Sequence, residues 1–266
     1  MSLFSSELDR LESALDAATE MASHFDHQSV AVETKSGGSP VTEADHALDE
    51  LLRNLLPRGN EGWFSEETKD DGKRLQCSRV WVVDPIDGTR DFINGGVEWS
   101  ISIGLVIDGV AVLGGVSAPR LGVTVLGGPQ VGLTRNGAAV APARKVPLLG
   151  ARVLASRHEI KKGDWEAFDT EPFSIRPVSS IAWKLAQAAV GDAEATWTLR
   201  PKHDWDIAAG VALCEAAGMM VRLSNGRLPQ LNTKNALVPG VIAMPHPDTS
   251  PAWLPMSQKL LSPPTC

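Results

Sequence analysis

Trp81-Val82-Val83-Asp84-Pro85-Ile86-Asp87-Gly88-Thr89 reads as an apolar strand that runs into two carboxylates three residues apart, then a glycine and a hydroxyl. Arg79 to Val83 is short, β-branched and aromatic, which fits a strand, and Pro85 is expected to stop it because proline cannot donate to a ladder. Asp84 then stands at the carboxyl end of that strand, where open α/β sheets bind ligands. The Gly88-Thr89 step leads into Arg90-Asp91-Phe92 and offers backbone N–H groups, at the start of a helical turn, to an anion. Asp, Pro and Gly are also ordinary turn formers, so the stretch by itself fits a plain strand-to-helix connection as well.

Other carboxylates are placed in a similar way. Glu66 and Glu67 follow the short apolar approach Trp63-Phe64-Ser65. Trp205-Asp206-Ile207-Ala208-Ala209-Gly210 opens a helical pattern that continues from Val211 to Ala217 and meets a glycine cap at Gly218. Each has a purely structural alternative. Asp206 fits a helix N-cap, Glu66-Glu67 fit the start of a solvated acidic run through Asp70 and Asp71, and Val41-Thr42-Glu43-Ala44-Asp45 fits an N-cap threonine with an acid at the third helical position.

Composition bounds what these groups do. A chain of 266 residues can bury a sizeable core, as one large domain or two closely packed halves. The net charge of -7, with Lys and Arg spread along the chain, argues against a polymeric nucleic-acid partner, which needs a basic stripe to displace counterions. A small anionic substrate is compatible, because metal ions invert the field of an acidic site. Cys77, Cys214 and Cys266 are three scattered cysteines, which suggests neither a disulfide framework nor a thiolate zinc site and fits a reducing cytoplasm. The six histidines have no close ligand spacing, so a metal site rests on oxygen ligands and favours Mg²⁺ or a similar hard cation. No apolar run approaches the ~20 residues of a membrane span, and a soluble, unexported protein with no membrane partner is expected.

Along the chain, Leu8, Leu11, Leu15, Ala18 and Met21 recur at helical spacing, predicting a first amphipathic helix from about Ser6 to Met21. Lys35-Ser36-Gly37-Gly38-Ser39-Pro40 is a polar connection, linker or lid, into a second helix from Glu43 to Leu56, stopped by Pro57. After Trp99, Ile101, Ile103 and Leu105 alternate toward Asp108-Gly109, and short strands follow at Val110 to Val116, Gly122 to Leu126 and Val131 to Leu133, which predicts an antiparallel sheet. A second α/β half comes next: a strand at Val153 to Ala155, a helix from about Ile181 to Val190, a strand at Ala195 to Leu199, the Asp206 helix, and strands near Val221 and Val241. Pro142 to Gly150 is the natural boundary, dividing an N-terminal α+β half, residues 1–145, from a C-terminal half, residues 146–266.

If Glu66, Asp84, Asp87 and Asp206 converge, four carboxylates share one pocket, and either their pKa values rise or cations bind. Two divalent ions balance four such charges, and two ions ~3.5–4 Å apart clamp both oxygens of an in-line displacement. That composition points to metal-assisted phosphate hydrolysis. A paired-carboxylate glycosidase is the competing reading, but it needs only two acids and leaves the Asp-Pro-Ile-Asp-Gly-Thr arrangement unexplained.

With these residues assembled, the chain resembles the inositol monophosphatase superfamily of lithium-sensitive, Mg²⁺-dependent phosphomonoesterases. The resemblance covers most of the chain and rests on Val-Thr-Glu-Ala-Asp ending at Asp45, Ser-Glu-Glu-Thr with Glu66-Glu67, Asp-Pro-Ile-Asp-Gly-Thr from Asp84 to Thr89, and Trp-Asp-Ile-Ala-Ala-Gly from Trp205 to Gly210, in the family's order. It implies a layered αβαβα sandwich of the inositol monophosphatase and fructose-1,6-bisphosphatase type, commonly dimeric, with two or three Mg²⁺. It places one ion on Glu66, Asp84 and the Ile86 carbonyl, and a second on Asp84, Asp87 and Asp206. It makes Thr89, with Asp45 behind it, the activator of the nucleophilic water, gives the phosphate to the N–H groups of Gly88 and Thr89, and leaves Glu67 as an edge support. Lys35 to Pro40 resembles the family's mobile segment, which closes over the site. Most metal ligands then fall in the N-terminal half, while the C-terminal half supplies Asp206 and substrate contacts.

The residues just past Thr89 bear on which small phosphorylated metabolite is the substrate. Inositol monophosphatases usually continue with Thr-Asn-Phe or a close variant, whereas Arg90-Asp91-Phe92 looks more like the 3′(2′),5′-bisphosphate nucleotidases that convert 3′-phosphoadenosine 5′-phosphate to AMP. Ser65 to Asp71, with two more acids after the glutamates, also looks like bacterial members of that branch. Arg90, Lys184, Arg200 and Lys202 are the candidates for a second phosphate, against the plain alternative of solvated surface cations. With no tyrosine in the chain, an adenine has to stack on Trp, Phe or His, although Trp183 and Trp197 fit core packing better. Inositol-1-phosphate and histidinol phosphate are the alternative substrates. A non-catalytic binding protein on the same fold is the alternative of another class, and a lost ligand would be its mark.

Overall fold

Residues 4–35, 38–141 and 145–261 are described by the computed structural model. Ser36 and Gly37 of the expected closing segment, residues 142–144 of the expected boundary, and Cys266 lie outside them. The N-terminal elements are α1 (Ser5–Ser23), the ribbon β1 (Val32–Thr34) and β2 (Pro40–Thr42), α2 (Glu43–Leu55) and β3 (Gly62–Ser65). There follow β4 (Arg79–Asp87), α3 (Thr89–Ile93), β5 (Ser100–Ile107), β6 (Val110–Ala118), β7 (Val123–Gly128), β8 (Gly132–Arg135) and β9 (Ala138–Ala139). The second half carries β10 (Arg152–Ser156), α4 (Arg157–Lys161), β11 (Ser174–Val178), α5 (Ile181–Ala189), β12 (Ala195–Trp197) and β13 (Lys202–His203). It ends with α6 (Asp204–Ala216), β14 (Met219–Leu223), β15 (Leu237–Val238), β16 (Val241–Pro245) and α7 (Leu254–Leu261).

Strands β3 to β9 form one sheet in sequence order, with β3 parallel to β4 and the other neighbours antiparallel. The second sheet has the order β11-β10-β12-β16-β14 and mixes parallel and antiparallel pairs. Three apolar cores stack these pieces into helices, sheet, helices, sheet, helices. Leu11, Leu15, Leu48 and Leu52 of α1 and α2 pack on Trp81, Val83, Ile101 and Ile103. Val80 and Val82 face the other way, onto Ala208, Ala209 and Ala212 of α6 and Leu185 of α5, which in turn touch Leu154 and Ala243 of the second sheet. Beyond that sheet, Trp165, Phe168, Trp253 and Met256 close the last layer. The αβαβα sandwich implied by the resemblance is the fold observed. The unbroken apolar run Val80–Val83 is thereby explained, since a strand buried on both faces has no polar side to alternate with.

The middle layer fits because α6 presents small residues to glycines. A Cβ on Gly104 would lie 2.8 Å from the Ala208 Cβ, one on Gly114 2.2 Å from the Ala209 carbonyl oxygen, and one on Gly210 2.4 Å from the Leu185 Cβ. The Ala-Ala-Gly of the Trp205–Gly210 motif is thus a close-approach surface that brings the N-terminus of α6, and Asp206 with it, against the central sheet. Cys77 and Cys214 are free thiols, and among the described residues no helix is long and apolar enough to cross a membrane.

Pro85 does not stop the strand. β4 continues to Asp87, and its register against β5 slips, with Asp84 opposite Ser102 but Asp87 opposite Ser100. Three steps on β4 therefore match two on β5, a bulge in which proline's missing N–H is tolerated. The extra residue also reverses the alternation of faces, so Asp84 and Asp87, which an ideal strand would send to opposite sides, are available to the same one.

Candidate functional site

Asp84, Asp87 and Asp206 each offer a carboxylate oxygen within 4.8 Å of the others. Asp84 is turned by its own neighbour, whose Ile86 N–H donates to Asp84 Oδ1 at 3.1 Å. Asp87 is buried and takes two short hydrogen bonds from 93 and 95 residues downstream, from Ser180 Oγ at 2.6 Å and from the Ala182 N–H at 2.6 Å. Asp206 is the third residue of α6, not its N-cap, and accepts from the backbone N–H of His203, the cap residue, at 2.7 Å. Its position is that of a capping-box acid with one oxygen left over for the cluster.

Electrostatics follow from burial. Removal from water, reinforced by the charges of Glu66, Asp87, Asp206 and Asp45, pushes the Asp84 carboxyl well above the usual carboxylate range. Burial also raises Asp87, although its hydrogen bonds to Ser180 and Ala182 and the charges of Lys184 and Lys202 oppose it. For Asp206, burial outweighs the attraction of Lys202 and, with the charge of Asp87, raises its pKa to about 7. An all-oxygen set, two of its members buried and Asp206 half-buried, that resists ionising together has the donor chemistry suited to a hard divalent cation, which would remove the conflict.

Glu66 lines the same cleft, but Lys35 Nζ sits 2.7 Å from Glu66 Oε1 and 2.7 Å from Glu67 Oε1. Burial disfavours the lysine's charge, yet the two carboxylates more than offset that and hold its pKa above the ordinary value. Glu67 is pushed up to about 7, by burial first and then by Glu66 and Asp45, despite Lys35. Lys35, expected only as part of the closing segment, is therefore an ion-pair partner of both glutamates.

Asp45 is a cap that also reaches Thr89. Thr42 Oγ1 accepts from the Asp45 N–H, and Asp45 Oδ2 accepts from the Thr42 N–H at 2.8 Å, so the capping box expected from the sequence is present. Its other oxygen lies 3.5 Å from Thr89 Oγ1, which is 3.1 Å from the Ile86 carbonyl oxygen. Burial raises the Asp45 carboxyl above its ordinary value. Gly88 takes the left-handed φ of 98° that lets the chain turn from β4 into α3, a conformation in which a side chain would be strained.

Glu66, Asp84, Asp87 and Asp206 line a cleft of about 650 Å³ together with Gly88, Thr89, Arg90, Arg157, Lys161 and Lys202. Two expected second-phosphate contacts are not among its walls. Lys184 is 1% exposed, and its Nζ is 3.1–3.4 Å from the carbonyls of Val178, Ser179 and Ser180, to which it donates. Burial lowers its pKa to about 8, and its charge acts on Asp87 from within the protein. Arg200 is paired instead with Asp164 at 2.6 Å. Trp183 and Trp197 are buried in the cores, as expected. Ser180, the α5 cap that holds Asp87, had no sequence signal beyond a serine ahead of a helix.

Asp91 has a role its position after Arg90 did not disclose. Its Oδ1 is 3.0 Å from Arg157 Nη1 and accepts from Ser179 Oγ at 3.1 Å, while Oδ2 accepts from the Glu98 N–H at 2.8 Å. The acid of the Arg90-Asp91 pair thus ties α3 to α4 at the wall of the cleft.

Residues 6–257 match the Inositol monophosphatase family. The chain is 30% identical over 210 residues to the fructose-1,6-bisphosphatase/inositol-1-monophosphatase of Thermotoga maritima, covering 77% of this chain and 79% of that one. It is 32% identical over 207 residues to the 3′(2′),5′-bisphosphate nucleotidase CysQ of Escherichia coli, covering 74% and 81%. The extragenic suppressor protein suhB of Bartonella henselae shares the fold, with a TM-score of 0.81 at 22% identity over 98% of this chain and 100% of that one.

Proposed function

The chain belongs to the inositol monophosphatase family of phosphatases, and on that premise we propose that it is a Mg²⁺-dependent phosphomonoesterase that converts 3′-phosphoadenosine 5′-phosphate to AMP and phosphate. The observation that carries the reading is the convergence of Asp84, Asp87 and Asp206 in a cleft whose other wall is cationic. Glu66, Asp84 and the Ile86 carbonyl are the ligand set for one ion, and Asp84, Asp87 and Asp206 for a second. Mg²⁺ held there supplies the charge that balances the carboxylates and lowers the pKa of a water at the site. Glu66, paired with Lys35 at 2.7 Å, would have to share its carboxylate between that lysine and the ion.

The residues then divide the work. The N–H groups of Gly88 and Thr89 hold the phosphate to be removed. The Thr89 hydroxyl, 3.5 Å from Asp45, orients the water and passes its proton toward that carboxylate. The water oxygen bonds to phosphorus as the ester P–O bond breaks, the leaving oxygen takes a proton from solvent water, and the proton given to Asp45 returns to solvent, which leaves inorganic phosphate and the alcohol. Glu67 supports the set from its edge through Lys35.

The bisphosphate is preferred because cations line the cleft, and the similarity to the nucleotidase supports it. Inositol 1-phosphate is the second reading, supported by the similarity to the Thermotoga enzyme. Phosphate release with Mg²⁺ from 3′-phosphoadenosine 5′-phosphate, inositol 1-phosphate, fructose 1,6-bisphosphate and histidinol phosphate tests both. A higher kcat/KM for the nucleotide is expected, a preference for inositol 1-phosphate would replace the substrate while keeping the chemistry, and no release from any would overturn the enzyme.

A further inference from the structure

We propose that Arg90 on α3 and Lys161 on α4 together dock a second phosphate of the substrate, the one that is not transferred. This rests on the phosphatase reading and extends it to residues of α4 that sequence reading did not single out.

Four Lys or Arg side chains among the described residues line the cleft: Arg90, Arg157, Lys161 and Lys202. Arg157 is already committed by contact, and Lys202 stands at another part of the cleft, two residues ahead of α6 and its Asp206. Arg157 is held between Asp91, at 3.0 Å, and Glu98, at 2.6 Å, so its charge is spent inside the protein. Lys202 is the one whose charge reaches the metal-ligand carboxylates, where it opposes the effect of burial on Asp87 and Asp206. Arg90 and Lys161 remain on the α3–α4 side of the cleft, both exposed and, like half-buried Lys202, with no side-chain hydrogen bond or ion pair to any described residue. Two uncompensated cations on one cleft match a phosphate monoester, which carries ≈ −1.5 to −2 at neutral pH.

The spacing of the elements that carry them is set by the clamp beside each. Asp91 follows Arg90 in α3, and Arg157 stands four residues before Lys161 on the same face of α4, so the Asp91–Arg157 pair sets the two elements against each other. The clamp is closed on its far side, since a Cβ on Gly96 would stand 2.3 Å from Asp91 Oδ2. The fixed spacing of α3 and α4 holds the two cations on one side of the cleft, although each side chain still loses rotamer freedom on binding. A cleft of about 650 Å³ has room for a nucleotide-sized ester spanning both anion positions.

Adenosine 3′-monophosphate is the matched control, because it keeps the transferred phosphate and lacks the second one. The wild-type protein is expected to hydrolyse 3′-phosphoadenosine 5′-phosphate with a kcat/KM at least tenfold above that for the monophosphate. Lys161→Ala should remove about tenfold from the bisphosphate, mainly through KM, and change the monophosphate less than twofold, while Lys161→Arg restores most of the loss. AMP, which retains only the second phosphate, should bind about tenfold more weakly to Lys161→Ala by calorimetry, with unchanged protection of the fold by Mg²⁺. Equal losses on both substrates, or wild-type rates that ignore the second phosphate, overturn the docking site and leave the phosphatase intact. Absence of phosphate release from any ester, with AMP still binding through Lys161, would instead overturn the phosphatase reading.

Discussion

Replacing Asp206 by Asn should make the metal-free protein more stable, and only above the acid range. Asp206 has a folded pKa of about 7 against 3.8 for a free carboxyl, so the folded state binds a proton that the unfolded chain has lost. Stability therefore falls as pH rises through the window from about 4 to 7, since there the native state carries the extra proton and stability declines with pH whenever it does. The full gap corresponds to about 4 kcal/mol at 1.36 kcal/mol per pKa unit. Partial solvent access to Asp206 and relaxation of its neighbours reduce the realised value to about 1–3 kcal/mol. The asparagine removes the charge and keeps an oxygen for the His203 N–H, now 2.7 Å from the carboxylate. Thermal unfolding in EDTA should then give a gain for Asp206→Asn of about 2–6 °C at pH 8 and almost none at pH 4. With millimolar Mg²⁺ the order should reverse, because the wild type gains roughly 2.7 kcal/mol at a hundredfold excess over Kd and the variant, short of a ligand, gains less. A variant less stable than the wild type at pH 8 in EDTA, with undiminished protection by Mg²⁺, would refute both the electrostatic argument and the assignment of Asp206 as a ligand.

Three further perturbations probe the supports of the site. Ser180→Ala withdraws a 2.6 Å donor from buried Asp87 and should cost about 1–3 kcal/mol in urea unfolding, with weaker Mg²⁺ protection; unchanged stability would mean that Asp87 is satisfied without it. Gly114→Ala puts a Cβ 2.2 Å from the Ala209 carbonyl oxygen, forces α6 outward, and should cost about 1–3 kcal/mol together with Mg²⁺ affinity, a joint loss that a merely local strain would not produce. Lys184→Met strips the buried partner of three carbonyls and a charge close to Asp87 and should cost about 3–5 kcal/mol. Its residual activity should lose equally on bisphosphate and monophosphate substrates, whereas a selective loss on the bisphosphate would put Lys184 back in the binding wall.

Period and punctuation in the sequence determined the helices α1, α2, α5 and α6, the antiparallel run from β5 to β8, and the two carboxylate-bearing strand and helix ends, because these depend on residues within one or two turns of each other. The Thr42–Asp45 cap was legible for the same reason, since both of its partners lie within four residues. The bulge in β4 was not, since it is a register slip against β5 and exists only once the two strands are paired. That slip, and not the spacing of the acids, gives Asp84 and Asp87 a common face. The burial of Lys184, the capture of Arg200 by Asp164, and the diversion of Asp91 to Arg157 are likewise decided by tertiary packing, the last two as partnerships across tens of residues. Charge type is written in the sequence, but whether a charged group meets solvent, a ligand or another side chain is decided by what the fold packs beside it. Local order follows from local chemistry; the site follows from which distant neighbours exclude water together.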